Sequence, residues 1–168
     1  NLLELLRANP ALEPHAADPD GLAVQVEEAW RSFHAGDFAD AVDRGLAAGP
    51  VGGVVAVRAA TVYARHLEED PQQRIAILRE AVDSAAALVR LAPNWANAWY
   101  AHGAALVRYS QHLSVVKALS QGLGSKVRDS LHRALQLEPG HAGAHVVLGV
   151  YNAEVIDKVG SVVGALTY

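Results

Sequence analysis

The residue types in this chain best suited to metal chemistry are two histidines, His141 and His145, separated by three residues. On one helix their rings would share a face, which is the arrangement a zinc site needs. No third histidine stands beside them. We expect His141 before the start of a helix and His145 at a packing position. The sequence therefore predicts packing in preference to metal binding, and it indicates no metal ligand and no cofactor.

A glycine-rich stretch at residues 122–126 ends in Lys126 and superficially resembles a phosphate loop. A phosphate loop needs four residues between its glycines and a preceding strand, and this stretch has neither. We predict a loop that turns into a helix. Because the first N–H groups of a helix lack intrahelical partners, Lys126 is a candidate anion contact there.

Two carboxylate clusters, Glu27-Glu28 and Glu68-Glu69-Asp70, could in principle supply acid–base catalysis. Adjacent carboxylates on a helix diverge, and nothing in their surroundings predicts the burial that would raise a pKa. No strand-turn-helix pattern holds a serine for a hydrolase triad. The sequence predicts a protein that is not an enzyme.

Composition predicts one packed helical domain. The 168 residues are 51% hydrophobic and 19% charged, and the formal net charge is −4. Alanine and leucine, both strong helix formers, dominate. No run of lysine and arginine interleaves with aromatic residues, so nucleic acid is not an expected partner. Cysteine is missing from the sequence, which excludes disulfides and thiolate metal sites.

Charge and hydropathy constrain the location only weakly. Residues 1–84 carry 7 basic and 14 acidic side chains, whereas residues 85–168 carry 7 and 4. The second half could present a basic face, or the sign could merely drift along a solvated surface. The longest uncharged stretch, residues 91–107, contains a proline and two asparagines, so no transmembrane segment is predicted. The sequence leaves the location unknown, open between the cytoplasm and the periplasm, and a removed signal could precede Asn1.

The elements that would position these side chains are paired helices. Residues 1–19 contain three prolines and are predicted to be a lead-in, with a short helix over residues 2–8 followed by an extended connector. Residues 20–168 are predicted to be one helical domain without a sheet, with Gly36 as a helix C-cap in the left-handed region and Asp70 as an N-cap before Pro71. Short turns between the helices predict antiparallel hairpins.

An internal repeat is visible after two prolines. Trp99 and Gly103 follow Pro93 by six and ten residues, and His145 and Gly149 follow Pro139 by the same intervals. Further matching residues are Ala29, Gly36, Phe38, Ala41 and Ala134.

These residues resemble the tetratricopeptide repeat, a helix-turn-helix unit of about 34 residues. The resemblance implies an all-α fold in which antiparallel hairpins stack as a short right-handed superhelix. Glu28 and Ser32 depart from the pattern, so the first two repeats are degenerate. Trp99 and His145 lie 46 residues apart, 12 more than one repeat, which predicts an insertion at about residues 108–121.

The stretch at residues 117–122, with Lys126, Leu131 and Leu148 after it, resembles the regulator of microtubule dynamics family. The chain also resembles the T component associated with tripartite ATP-independent periplasmic transporters. The first resemblance implies protein association, and the second implies a scaffold with a ligand-accessible cleft or pore. The lipid-bearing cysteine of the second family is missing here, which puts membrane anchoring in doubt.

The repeat phase predicts which side chains face the groove, because the first helix of each pair lines the concave face in such repeats. Aromatic members of this set are typical anchors for partner segments. The alternative is that the lead-in or the insertion covers them. The predicted groove residues are Trp30, Phe33, His34, Asn97, Tyr100, Arg108 and Glu154, with Val26, Val146 and Val150 beside them.

Two functions remain open on the sequence. The first is a non-catalytic scaffold that binds a protein or peptide segment in the groove, or a second copy of the chain. The second is a transport-associated component with a small-molecule ligand in an enclosed cleft or pore. Residues 142–157 have no clear partner helix, so we expect a continuation or a partner chain to cover that face.

Overall fold

The computed structural model describes the backbone of residues 2–167 and the side chains of residues 2–158. Within that part of the chain every regular element is helical and no strand occurs, which confirms the all-α prediction. The elements in order are α1 (Leu2–Ala8), a 3₁₀ helix (Pro10–His15), α2 (Pro19–Ala35), α3 (Phe38–Ala47), α4 (Gly49–His66), α5 (Pro71–Leu91), α6 (Ala96–Ser110), α7 (Val115–Ser120), α8 (Leu123–Leu137) and α9 (Ala142–Thr167).

The helices begin and end where local chemistry requires it. The Asp18 carboxylate accepts a hydrogen bond from the Gly21 N–H at 3.0 Å and caps α2. Gly36 has φ 88° and ends α2 in the left-handed region, as predicted. Asp70 accepts from the N–H groups of Gln72 and Gln73 at 2.7 and 3.1 Å, which confirms it as the N-cap of α5.

The helices form two rows. α2 pairs with α3, α4 with α5, and α6 with α8. The first helix of each pair also contacts the first helix of the next, so α2, α4, α6 and α9 make an inner row. α3, α5 and α8 form the outer row. The extra helix α7 lies between α6 and α8, within the predicted insertion, whose assignment as an insertion stays a prediction.

Glycines allow the closest helix approaches. A Cβ added at Gly45 would lie 2.9 Å from the Gly52 carbonyl oxygen, so α3 and α4 touch through their backbones. A Cβ at Gly103 would lie 2.8 Å from the Leu131 side chain, where α6 meets α8. Larger residues at these positions would push the paired helices apart.

The lead-in is packed, which corrects the sequence interpretation. Residues 10–15 form a 3₁₀ helix, so the prediction of an extended connector is wrong. The physical reason is burial, since Leu12 is 0% exposed and packs in a cluster with Leu6 and Val51. Asn9 accepts a hydrogen bond from the Asn94 N–H at 2.9 Å and fixes the lead-in to the turn between α5 and α6.

No helix within the described residues is both long enough and apolar enough to cross a membrane.

Candidate protein-binding groove

The inner row begins with an aromatic cluster on α2. The Trp30 ring centroid lies 5.5 Å from that of Phe33 in an edge-to-face arrangement, and it lies 6.0 Å from that of His34. Phe33 in turn contacts His34 at 5.2 Å and Phe38 of α3 at 5.7 Å. Three predicted groove residues therefore form one aromatic surface, because Phe33 and His34 follow Trp30 by three and four residues on a single helix.

Arg58 of α4 joins this cluster to α6. Its guanidinium carbon lies 5.5 Å from the Trp30 ring centroid, 5.3 Å from that of Phe33 and 6.0 Å from that of Tyr100. Trp30 and Tyr100 are thus brought to one site through a shared cation, which is held by attraction to the faces of aromatic rings. The repeat phase missed Arg58 because the second repeat is degenerate. Its spacing of seven residues from Arg65, in a helix rich in alanine and valine, is the signal that could have revealed it.

Tyr100, Asn97 and His141 lie in contact with one another at the next part of the candidate groove. The ring centroids of Tyr100 and His141 lie 4.7 Å apart. His141 Nδ1 accepts a hydrogen bond from the Ala144 N–H at 3.1 Å, so the ring proton is on Nε2, which donates to Asn97 Oδ1 at 3.0 Å. His141 therefore caps the start of α9 and ties it to α6.

A chain of polar side chains links the end of α6 to α9 at the other end of the candidate groove. Gln111 donates from Nε2 to both carboxylate oxygens of Glu154, at 2.7 and 3.0 Å. Arg108 donates to Gln111 Oε1 at 3.4 Å. Burial lowers the pKa of Arg108, the positive charge of Arg65 lowers it further, and Glu154 and Tyr100 oppose the shift. Arg108 is thus a partly desolvated cation, and the positive charge of Arg65 acts on it.

Within the described part of the chain, Arg58, Arg65 and Arg108 form no ion pair with a carboxylate within 4.0 Å. Among the described side chains, ion pairs with an N···O separation of at most 4.0 Å are Arg31–Glu27 within α2, Arg44–Asp40 within α3, and Arg44–Glu28 between the two helices. Arg58, Arg65 and Arg108 therefore lack such a pair. Arg58 and Arg65 are two turns apart on α4, so they belong to one helix face.

Lys126 lies apart from the groove. It lines a cavity of about 640 Å³ bounded by α5, α6, α7 and α8, together with Arg79, Lys117 and His102. Burial lowers the pKa of His102, and the charges of Lys126 and Arg90 lower it further. The Lys126 anion contact stays a prediction.

His102 is held by a buried serine. The Ser130 hydroxyl donates to the Lys126 carbonyl oxygen at 2.7 Å, so it accepts the hydrogen bond from His102 Nδ1 at 2.9 Å. The proton of Ser130 is committed to the backbone, so the pair is not arranged as a base and a nucleophile.

A second cavity, of about 660 Å³, lies beside Trp30. The lead-in residues Leu2 and Leu5 line it, together with Val26 and Asn97. The lead-in therefore flanks this end of the groove and leaves Trp30 half-buried. Tyr100 is not among the lining residues of this cavity.

The two histidines considered as metal ligands point to different partners. His141 bonds Asn97, whereas His145 Nε2 donates to the Pro139 carbonyl oxygen at 2.8 Å. No group of three histidine, cysteine, aspartate or glutamate side chains suited to a metal ion occurs among the described residues.

Two rows of antiparallel helices define a tetratricopeptide-like fold. The solved structure described as "First TPR of Spaghetti (RPAP3) bound to HSP90 peptide SRMEEVD" matches with a TM-score of 0.54 and 19% identity, over 82% of this chain and 95% of that chain. At this identity the match shows the fold alone. A comparison with curated proteins gave no match.

A family model assigns the chain more closely. The model described as Regulator of microtubule dynamics protein 1-3 matches residues 54–158, which is more than half of the chain. The chain belongs to this family, as the sequence resemblance indicated. The resemblance to the transporter T component stays a prediction, and the comparisons give no support to a transport-associated role.

Proposed function

We propose that this protein is a non-catalytic scaffold that binds an acidic protein segment in the groove of its inner helices. The observation that carries the proposal is the position of Arg58, whose guanidinium lies between the rings of Trp30, Phe33 and Tyr100 and has no carboxylate partner within 4.0 Å among the described side chains. A guanidinium held in place by aromatic faces keeps donors for a carboxylate, and charge-assisted bonds of this kind are the strong ones.

The charges of the groove favour an acidic segment. Among the described side chains, Arg58, Arg65 and Arg108 have no ion pair within 4.0 Å, and Gln111 donates to both oxygens of the Glu154 carboxylate near Arg108. Three further carboxylates, those of Glu4, Glu27 and Glu138, line the cavity beside Trp30. The peptide in the matched tetratricopeptide structure, SRMEEVD, has three acidic residues and one arginine. That peptide is bound by another protein. Its carboxylates are nevertheless the groups that a cluster of arginines would attract.

Two titratable residues of the candidate groove, His141 and Glu154, are held in structural hydrogen bonds, which supports a binding role. His141 uses both ring nitrogens to hold Ala144 and Asn97, and Glu154 is held by Gln111. A general acid or base must have a free position for the proton of a substrate. These groups are engaged in structural hydrogen bonds.

The test uses a fluorescently labelled SRMEEVD peptide and the same peptide with its acidic residues changed to glutamine and asparagine. We expect saturable binding of the acidic peptide that weakens as salt rises, and at least about tenfold weaker binding of the neutral one. Arg58→Gln should weaken binding about tenfold or more. Arg90→Gln is the matched control, because Arg90 is an exposed arginine on the outer helix α5.

Equal affinity of Arg58→Gln and Arg90→Gln would overturn the proposal, as would equal binding of the acidic and neutral peptides. Native mass spectrometry of the purified protein tests the small-molecule alternative. A bound compound that is lost in Trp30→Ala would favour a ligand in the cavity of about 660 Å³ beside that residue.

A further inference from the structure

A second surface of the protein lies opposite the groove, between the outer helices α3 and α5. Both helices pack against α4, and a cavity of about 360 Å³ separates them. Its floor is α4, which presents the small residues Gly53, Ala56 and Ala60 there. These positions follow one another by three and four residues, so they form a single shallow stripe on one helix face.

The walls of this trough are apolar. Val42 and Leu46 of α3 stand on one side, and Ile77 and Ala81 of α5 stand on the other. Leu46 is 61% exposed, although it continues the apolar face of α3 one turn after Val42. A large aliphatic side chain left in water at the edge of an apolar cavity is a feature of interaction sites.

The trough continues past the first turn of α3. A neighbouring cavity of about 390 Å³ shares Phe38 and Tyr63 with the first one and reaches Leu67, which is 55% exposed. The two cavities together follow the length of α3, which at 1.5 Å per residue is about 15 Å. This length accommodates roughly three turns of a helix.

The rim is acidic. Asp43 and Glu80 line the first cavity on opposite sides, and Asp37 and Asp40 line the second. Asp40 is paired with Arg44, whereas Asp37, Asp43 and Glu80 have no ion pair within 4.0 Å among the described residues. The lining residues of the two cavities include no lysine and no arginine. The sign of this surface is therefore opposite to that of the arginine-lined groove.

We propose that the trough between α3 and α5 is a docking site for a basic amphipathic helix of a partner protein. The small residues of α4 allow the backbone of the incoming helix to approach closely, and its apolar side chains pack against Val42, Leu46 and Ile77. Lysine or arginine on its two flanks faces Asp43 and Glu80. This is helix-in-groove recognition with charge complementarity, and it is independent of the segment bound by the inner helices.

The test uses a designed helical peptide of about 14 residues, roughly four turns, with leucine on one face and lysine on both flanks. A matched peptide carries glutamate in place of every lysine. We expect the full chain to bind the basic peptide at least about tenfold more tightly than the acidic one. Leu46→Gln should weaken binding about tenfold, and Asp43→Lys combined with Glu80→Lys should abolish the preference for the basic peptide.

Matched controls separate this site from others. Val24→Gln removes a comparably exposed aliphatic residue of α2, at 55% exposure, and should leave binding unchanged. Asp129→Lys reverses an exposed charge on α8 and should do the same. Arg58→Gln should weaken binding of the acidic peptide in the groove and leave binding of the basic helical peptide unchanged. The proposed function and this inference can therefore be disproved independently.

Three outcomes would overturn the inference. The first is equal affinity for the basic and acidic peptides. The second is unchanged binding in both Leu46→Gln and the double rim variant. The third is a chain that dimerises in sedimentation and becomes monomeric with Leu46→Gln, because a second copy would then be the occupant of the trough.

Discussion

Trp99 and His145 make the same hydrogen bond in successive repeats. Trp99 Nε1 donates to the Pro93 carbonyl oxygen at 2.9 Å, and His145 Nε2 donates to the Pro139 carbonyl oxygen at 2.8 Å. In each case the acceptor lies six residues earlier. A ring N–H therefore joins the first turn of an inner helix to the turn that follows the preceding outer helix, and the imidazole replaces the indole in this role.

The two rings should differ in what they contribute to stability. Trp99 also packs against two core clusters, so Trp99→Ala should lower the free energy of unfolding by about 3–5 kcal/mol. The His145 side chain is exposed, so His145→Ala should lose about 0.5–1.5 kcal/mol, the value of a hydrogen bond. Urea unfolding monitored by circular dichroism measures both. If His145→Ala loses as much free energy of unfolding as Trp99→Ala, the histidine contributes more to stability than its single hydrogen bond.

The contact between α3 and α4 should not accept a side chain at Gly52. An added Cβ would overlap the Gly45 carbonyl oxygen and lie 2.8 Å from the Ala48 Cβ. Because the obstacle is backbone, we expect Gly52→Ala to destabilise the protein by about 1–3 kcal/mol or more. Gly149→Ala is the control, since nothing lies within 4 Å of its added Cβ, and it should stabilise α9 by about 0.5–1 kcal/mol. Thermal melts of the two variants that shift in the same direction would contradict this reading of the contact.

His102 should make the protein less stable as pH falls. Burial is the largest cause that lowers its pKa below the ordinary value of 6.5, followed by the charges of Lys126 and Arg90. As pH falls through 6.5, the unfolded chain therefore binds a proton at His102 more readily than the folded chain does. The stability that depends on neutral His102 is fully present above pH 6.5 and is lost as pH falls from 6.5 towards the folded pKa.

Substitution isolates this effect. His102→Asn keeps a donor towards Ser130 but does not titrate, so the free energy of unfolding should fall less steeply than in the wild type between about pH 6.5 and 5. Part of the slope should remain, because burial also lowers the pKa of His112, with Arg74 and Arg65 adding to the shift. Urea titrations at several pH values measure the slope. Identical slopes in His102→Asn and wild type would remove His102 from this account.

Trp30 and Tyr100 should matter more for binding than for folding. Replacing either residue by alanine is expected to weaken binding of the acidic peptide by about 2 kcal/mol, the loss typical of an interface anchor. Both rings are half-buried at the edges of core clusters, so the melting temperature should fall only moderately. Tyr109→Ala is the comparison, because Tyr109 is buried and should show the stability loss of about 3–5 kcal/mol without a direct binding effect. If Trp30→Ala melts as early as Tyr109→Ala with unchanged affinity, Trp30 is a core residue.

Local chemistry accounts for what the sequence predicted well. Gly36 and Asp70 mark helix ends through their own backbone and side chain, so their roles were readable without tertiary structure. Trp99 and His145 could be equated because two prolines fix the phase of the last repeats. Arg58 was missed since no such landmark sets the phase of α4.

Other features depend on packing and could not be read from the sequence. The 3₁₀ helix of the lead-in forms because Leu12 finds a buried site among residues far along the chain. The acidic trough exists because α3 and α5 both pack against α4 and leave a gap between them. Neither relationship has a local pattern that a sequence could display.

The position of His141 gives the groove a built-in reporter. The His141 ring contacts the Tyr100 ring and donates a hydrogen bond to Asn97. It also accepts a hydrogen bond from the N–H of Ala144, which is buried in the first turn of α9. A ligand that moves the Tyr100 ring must also move the imidazole, and the Ala144 hydrogen bond changes with it. The amide resonance of Ala144 should therefore sense occupancy of a surface that it never touches, and it offers a way to follow binding without attaching a label to the groove.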